Sequence, residues 1–362
     1  MKKLKKSELF KEVGRIETAD YQDKIVEFRG LKSYSDLYYD DQVKFCFTIK
    51  KFLILSGGWE VIPSDNSEEA IEQARFVINT FNNLEHSLNT ILFSMLSAID
   101  YGYSISELIY TEQDKKIVLK NIKTKPPWRF QFEKDEYGNL VKLYCDYEEV
   151  PIEKFVIYSY MPNFSQIEGE SDLKSAYSSV WAKDKLIKFW LRYLEKYGTP
   201  IAKGKIPLNA SDEERQRFEQ ILRKIHNATS ITLPQSERGE GFDIELLESK
   251  KDAGNQFLEA INKMDERIAR SALIPALFGA TKASYGSYAL GELQFETVYK
   301  FLSTIGENFA DEVINKQVIK RLIDLNYSKP FYPRFKLKPI DRTFTEAIIK
   351  TLIPEPKETN GT

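Results

Sequence analysis

The sequence predicts an α+β fold, and three observations carry that expectation. Apolar residues recur at helical spacing over 36–55, 172–197 and 290–325. Between 107 and 158 the period shortens to β-type runs parted by turns. A small mixed α/β segment, 201–247, is inserted between two long helical stretches.

Taken in order, Leu37, Val43, Phe47, Phe52 and Leu55 mark one face of a helix over 36–55, which Gly57-Gly58 stops. Residues 59–62 read as a short strand ended by Pro63. Ser67 is the expected N-cap of a second helix, and Glu68 and Glu69 suit its positive end. A third helix runs from Ser87 to Asp100 and closes at Tyr101-Gly102. Strands at 107–110, 117–119, 129–132, 140–144 and 155–158 form a meandering, largely antiparallel sheet.

A long amphipathic helix over 172–197 ends at Gly198-Thr199-Pro200, a helix stop. The insert then supplies a strand at 201–206, a helix capped within 209–214, and strands at 230–234 and 242–247. Helices return at 255–272 and 290–325, followed by a strand at 335–337 and a short polar tail. The insert is therefore expected at the end of a two-helix stalk.

Bulk properties narrow the function classes. With 362 residues, 42% hydrophobic and 29% charged, the chain is long enough for one large domain or two modest ones. Its net charge of −2 provides no global basic field for gripping DNA. Cys46 and Cys145 suggest neither a disulfide framework nor a Cys-x-x-Cys metal site, which points to synthesis in a reducing compartment. The apolar run 45–55 is interrupted by Lys50 and Lys51, and no run approaches the roughly 18 residues of a membrane span. Lys2, Lys3, Lys5 and Lys6 make the start basic, but Ser7-Glu8 follow instead of an apolar signal core, so no export signal is expected.

Reactive constellations are not evident. His86 and His226 lack metal-ligand spacing, and no Gly-x-Ser-x-Gly elbow accompanies them. The run 279–284 lacks the spacing of a phosphate loop, and 286–291 has no preceding strand for a dinucleotide site. Asp40-Asp41, Glu68-Glu69 and Glu213-Glu214 read as solvated faces or helix starts. The expectation is a structural protein with no catalytic residue, no metal and no cofactor.

Five motifs stand in order along the chain. Ala98-Ile99-Asp100-Tyr101-Gly102-Tyr103-Ser104, with Glu107, comes first, and Gly169-Glu170-Ser171-Asp172-Leu173-Lys174-Ser175-Ala176, then Trp181-Ala182-Lys183, second. Tyr193-Leu194-Glu195-Lys196-Tyr197-Gly198-Thr199-Pro200, with Gly204-Lys205, is the third. Ala210-Ser211-Asp212-Glu213-Glu214, with 225–228 and 231–234, and the run 285–291 complete the set. Together they resemble the portal family typified by bacteriophage Mu, and more distantly the portals of thermophilic siphophages. The first is similar to the family's step between helix and sheet, the second to the start of its first stem helix, and the third to the passage out of that helix. The resemblance spans about residues 40–335, while the tail after Lys338 is shorter than in Mu-type portals, implying a short or absent crown.

The resemblance implies a portal-like fold: an α/β wing at 1–171, a stem helix at 172–199, an α/β clip at 200–250, a second stem helix at 251–275, a tunnel loop at 276–290, and a wing helix and strand at 291–340, with a residual crown or tail at 341–362. It implies a homo-oligomeric ring, dodecameric by family habit, at a capsid vertex of the virion, assembled in the host cytoplasm. The implied partners are terminase, major capsid or scaffold protein, a head–tail adaptor, and double-stranded DNA passing without sequence preference; no membrane is implied. Another ring-forming adaptor or tail protein is the alternative.

Lys282, Tyr285 and Ser287 are the candidate tunnel-loop residues facing DNA. The small residues and glycines around them suit a mobile constriction, or equally a plain interhelical loop. Lys183, Lys188, Glu259 and Lys263 are the candidate stem channel, although lysines there could instead pair with acids such as Glu259 and Asp265. Glu213, Glu214 and Arg217 are the candidate clip surface for a partner. Trp181, Trp190, Phe189 and Leu186 are expected to pack against the returning helix or the next subunit.

Overall fold

The computed structural model describes residues 24–163, 166–197, 201–206, 210–224, 243–247, 253–274 and 288–339. They divide into two compact units, one up to Val180 and again from Glu266, the other Trp181–Asp265.

The first unit opens with short helices α1 (Lys24–Arg29) and α2 (Ser33–Asp36), a 3₁₀ turn at Leu37–Tyr39, and α3 (Asp41–Leu55). The single helix expected over 36–55 is broken because Asp40 is extended and its carboxylate caps the Val43 N–H of α3. Strand β1 (Trp59–Ile62) is followed by α4 (Glu68–Asn82), where Ser67 accepts from Ala70 N–H as its N-cap. The third expected helix is two, α5 (Leu88–Met95) and α6 (Ala98–Tyr101). Near the break between them, Ser104 Oγ donates to the carbonyl of Met95 at 2.6 Å.

The meander is two sheets. Strands β2 (Tyr103–Gln113), β3 (Lys116–Lys125) and β7 (Phe155–Ser159) form one in the order β3-β2-β7. Strands β4 (Phe130–Lys134), β5 (Leu140–Cys145) and β6 (Glu148–Val150) form the other. All pairs are antiparallel, and β7 returns to β2 instead of extending from β6. The hairpin turns at Asp114-Lys115 and Asp146-Tyr147 have positive φ at both residues, the geometry that matches strand twist.

The second unit contains most of α7 (Asp172–Tyr197), then β8 (Ile201–Lys205), α8 (Asp212–Lys224) and β9 (Asp243–Leu247), and most of α9 (Ala253–Ser271). β8 and β9 pair antiparallel, and the buried Phe218 rests with Leu222 on β8 at Gly204. The strand expected at 230–234 lies outside the described residues.

Back in the first unit, α10 (Tyr288–Phe309) runs into a π-helical stretch, Ala310–Ile319, and α11 (Lys320–Asp324). The expected continuous helix is thus wider-wound in its middle. Strand β10 (Arg334–Leu337) then pairs with β1, Trp59 opposite Leu337. The core lies among α3, α5, β2, β7 and the π-helix, with Phe47, Leu92, Ile105, Phe309 and Phe335 sealed from solvent.

Amide side chains tie the closing segment to sheet edges. Asn315 accepts from Phe335 N–H at 2.7 Å and donates to its carbonyl at 3.0 Å. Gln317 does the same with Ile157 at 2.9 and 2.7 Å, and Asn326 with Ile117 at 2.7 and 2.8 Å. Gln73 bridges Phe331 N–H and the Lys329 carbonyl. A primary amide presents the donor and acceptor of a peptide group, so each acts as one residue of an added strand. Replacing Gln317 by Leu removes both partners of Ile157; the expected loss of about 1–3 kcal/mol would be read from the urea midpoint at unchanged slope.

Candidate functional site

The root of α7 brings together two motifs distant in sequence, the helix-to-sheet step around Asp100 and the helix start around Asp172. Lys50 and Lys51 are adjacent on α3 and so point about 100° apart around its axis. The buried ammonium of Lys50 donates to Asp172 Oδ2 at 2.6 Å and to the Tyr160 hydroxyl at 3.1 Å, over the rings of Tyr160 and Phe301. That of Lys51 donates to Asp100 Oδ2 at 2.6 Å and to the Tyr38 hydroxyl at 3.1 Å, over Tyr38 and Phe93. Burial pushes both carboxyls above the usual carboxylate range, against the pull of the ammonium groups. Burial also raises the neighbouring Tyr101 hydroxyl to about 12.

The backbone closes the same corner. The Tyr160 N–H donates to the Gly102 carbonyl at 2.7 Å, and the Glu170 N–H to the Tyr160 carbonyl at 2.8 Å. Gly102 and Gly169 both have positive φ, and a β-carbon on Gly169 would lie 2.2 Å from the Gly102 oxygen. Ser171 donates its hydroxyl to the Asp100 carbonyl and accepts from Leu173 N–H at 3.1 Å, starting the helix. Leu173 and Ala176 are sealed in the core beyond it.

Farther along α7, within the second unit, the surface turns apolar. Trp181 is 57% exposed and Phe189 55% in the protomer, where packing on the returning helix or on the next subunit is expected, and Leu191 and Leu194 are exposed as well. Trp190 and Leu186 are half-buried. The Lys185 ammonium lies over the Trp181 ring. Tyr193 and Phe257 meet at 5.7 Å between centroids, joining α7 to α9.

The stem residues separate into two kinds. Lys183 is buried in the protomer, its ammonium 2.6 Å from Asp265 of α9. Lys188, Glu259 and Lys263 are exposed, with Lys188 paired to Asp184 at 2.7 Å. On α8, Glu213 and Arg217 are exposed. Glu214 accepts from the Ser211 N–H and hydroxyl, both at 2.9 Å, closing a capping box that holds its carboxyl below the usual range. Lys282, Tyr285 and Ser287 lie outside the described residues, as does His226.

Lys50, Lys51, Tyr38 and Tyr160 were not anticipated as site residues. The available signal was two lysines inside an otherwise apolar helical run. Among the described residues, no group of His, Cys, Asp and Glu is placed to hold a metal ion, and no helix is long and apolar enough to cross a membrane. His86 Nδ1 lies 3.0 Å from the Asn121 amide, and neither Cys46 nor Cys145 takes part in a disulfide.

The family model described as the portal protein of Mu bacteriophage matches residues 31–355. A chain of the virion of a native gene transfer agent particle is similar in fold, with a TM-score of 0.62 at 13% identity, covering 89% of this chain and 87% of that one. A chain from the neck of a native gene transfer agent particle computed with C12 symmetry has a TM-score of 0.63 at 11% identity, covering 91% and 90%. No curated protein matches by sequence.

The corner predicts its own fragility. Gly169→Ala forces a β-carbon into the Gly102 carbonyl at a positive φ, with an expected loss of about 2–5 kcal/mol by urea denaturation.

Proposed function

The chain belongs to the portal protein family of Mu bacteriophage, and from that premise we propose that it is the subunit of a ring-shaped channel at a capsid vertex, through which double-stranded DNA is packaged and ejected. The observation that carries the reading is the family match from residue 31 to 355. The exposed Trp181, Phe189, Leu191 and Leu194 on α7 support it, since exposed apolar side chains of this size are covered when a second copy docks. A ring of about twelve copies agrees with the C12 symmetry of the neck particle that contains a chain of like fold.

The ring would take terminase on its clip during packaging and a head–tail adaptor afterwards, with capsid or scaffold protein around the wing. Glu213, Glu214 and Arg217, exposed on α8, are the residues offered for the clip contact. Lys188, Glu259 and Lys263 are offered for the channel, and Lys282, Tyr285 and Ser287 for the tunnel loop. Mixed charge suits a moving duplex, because many fixed phosphate contacts would release counterions and hold it in place. The protein does no chemistry of its own in this reading; its place is the virion, reached by assembly in the host cytoplasm.

Native mass spectrometry at physiological salt is expected to show a closed species of about twelve subunits. Phe189→Asp is expected to abolish it while leaving the melting temperature nearly unchanged, because Phe189 is exposed in the protomer. A strict monomer for the unaltered chain at every concentration would overturn the ring. DNA binding by the ring is expected to be no tighter than about 10⁻⁶ M, independent of sequence and weakened by salt, as a gel-shift titration would show.

A further inference from the structure

The motif around Asp100 and the motif around Asp172, far apart in sequence, form one joint in the structure. Three consecutive residues at the start of α7 are held by different parts of the first unit. Ser171 is tied to the Asp100 carbonyl, Asp172 to Lys50 and Tyr160, and Leu173 to the apolar core. Asp100 is itself fixed by Lys51, the neighbour of Lys50. Two adjacent lysines on one helix therefore hold the end of α6 and the start of α7.

We propose that the Lys50–Asp172 and Lys51–Asp100 pairs are positioning residues that fix the register in which the start of α7 seats on the first unit. Apolar burial at Leu173 and Ala176 is non-directional and accommodates small shifts. A charged pair is directional: a slip of one residue along α7 turns Asp172 by about 100° and carries it about 1.5 Å, away from Lys50. Because the two lysines diverge by about 100° around α3, a movement that preserved one pair would break the other.

Stability does not account for the pairs. Two ammonium groups and two carboxylates are taken out of water, and apolar replacements of both partners of such pairs are often neutral or stabilising. The raised carboxyls agree in sign. A group whose folded value lies above its unfolded one favours folding below the unfolded value and loses that contribution as the pH rises through the folded one. Ionising either carboxyl therefore works against its burial, consistent with a role in geometry.

This inference goes beyond the ring reading, and only its assembly arm rests on that reading. The experiment uses the full chain with both partners replaced, Lys50→Met with Asp172→Leu, and follows amide hydrogen exchange by mass spectrometry. The expected result is a melting temperature within a few degrees of the unaltered chain, at least tenfold faster exchange over residues 172–180, and unchanged exchange in β2. A second variant, Lys50→Gln with Asp172→Asn, keeps directional hydrogen bonding without charge and is expected to recover part of that protection. Where the unaltered chain forms a ring, the first variant is expected to spread it over several stoichiometries. Unchanged exchange at 172–180 in the first variant would overturn the proposal, as would a large fall in melting temperature with faster exchange throughout the unit. A chain that forms no ring would sink the ring reading alone, leaving the exchange comparison to decide the joint.

Discussion

Lys50 in its aromatic box, paired with Asp172, is the constraint on which most of the first unit depends. Its helix, α3, carries Cys46, Phe47 and Ile54 into the core on the same side as the two lysines. A buried ammonium cannot be left alone, so the position of Asp172 is decided once α3 is placed. Asp172 then decides where α7 begins, and Gly102 and Gly169 allow the two backbones to meet closely enough for that pairing. Charge sets the corner, and the lack of side chains at two glycines makes room for it.

A second kind of specificity runs through the closing segment. The apolar residues of the π-helix, Val313, Ile314 and Val318, would bury equally well in several rotations. Asn315 and Gln317 remove that freedom, because each must find one peptide group on β10 or β7. They also shield strand edges that would otherwise present unpaired amides to other chains. Asn326 does the same at Ile117 of β3, and Gln73 holds the segment that leads into β10.

Local structure was largely legible in the sequence. Apolar period marked α7, α9 and α10, Ser67 marked the start of α4, and Gly102 marked the end of α6. Pairing was not legible, because nothing in the period-2 runs tells β7 to join β2 instead of β6. The break after Met95 depends in part on Ser104, which lies beyond the helix it interrupts. The joint was half visible: its aspartates stood in quoted motifs, while Lys50 and Lys51 registered only as interruptions of an apolar run. Their partners are distant in sequence, and a single sequence does not carry that distance. Lys183 shows the limit at the candidate site, since a channel lysine and a paired one read alike until Asp265 is seen beside it.

The pairing of β1 with β10 has a consequence for synthesis. β1 leaves the ribosome early, yet its one strand partner among the described residues is made near their end. At roughly 5–20 residues per second that wait is on the order of 15–60 s, during which one edge of Trp59–Ile62 is open. The contiguous unit Trp181–Asp265 is complete well before then. A nascent chain that pauses in between would carry a finished insert beside an unfinished body, and the unpaired strand would be the part most exposed to chaperones or to another nascent chain.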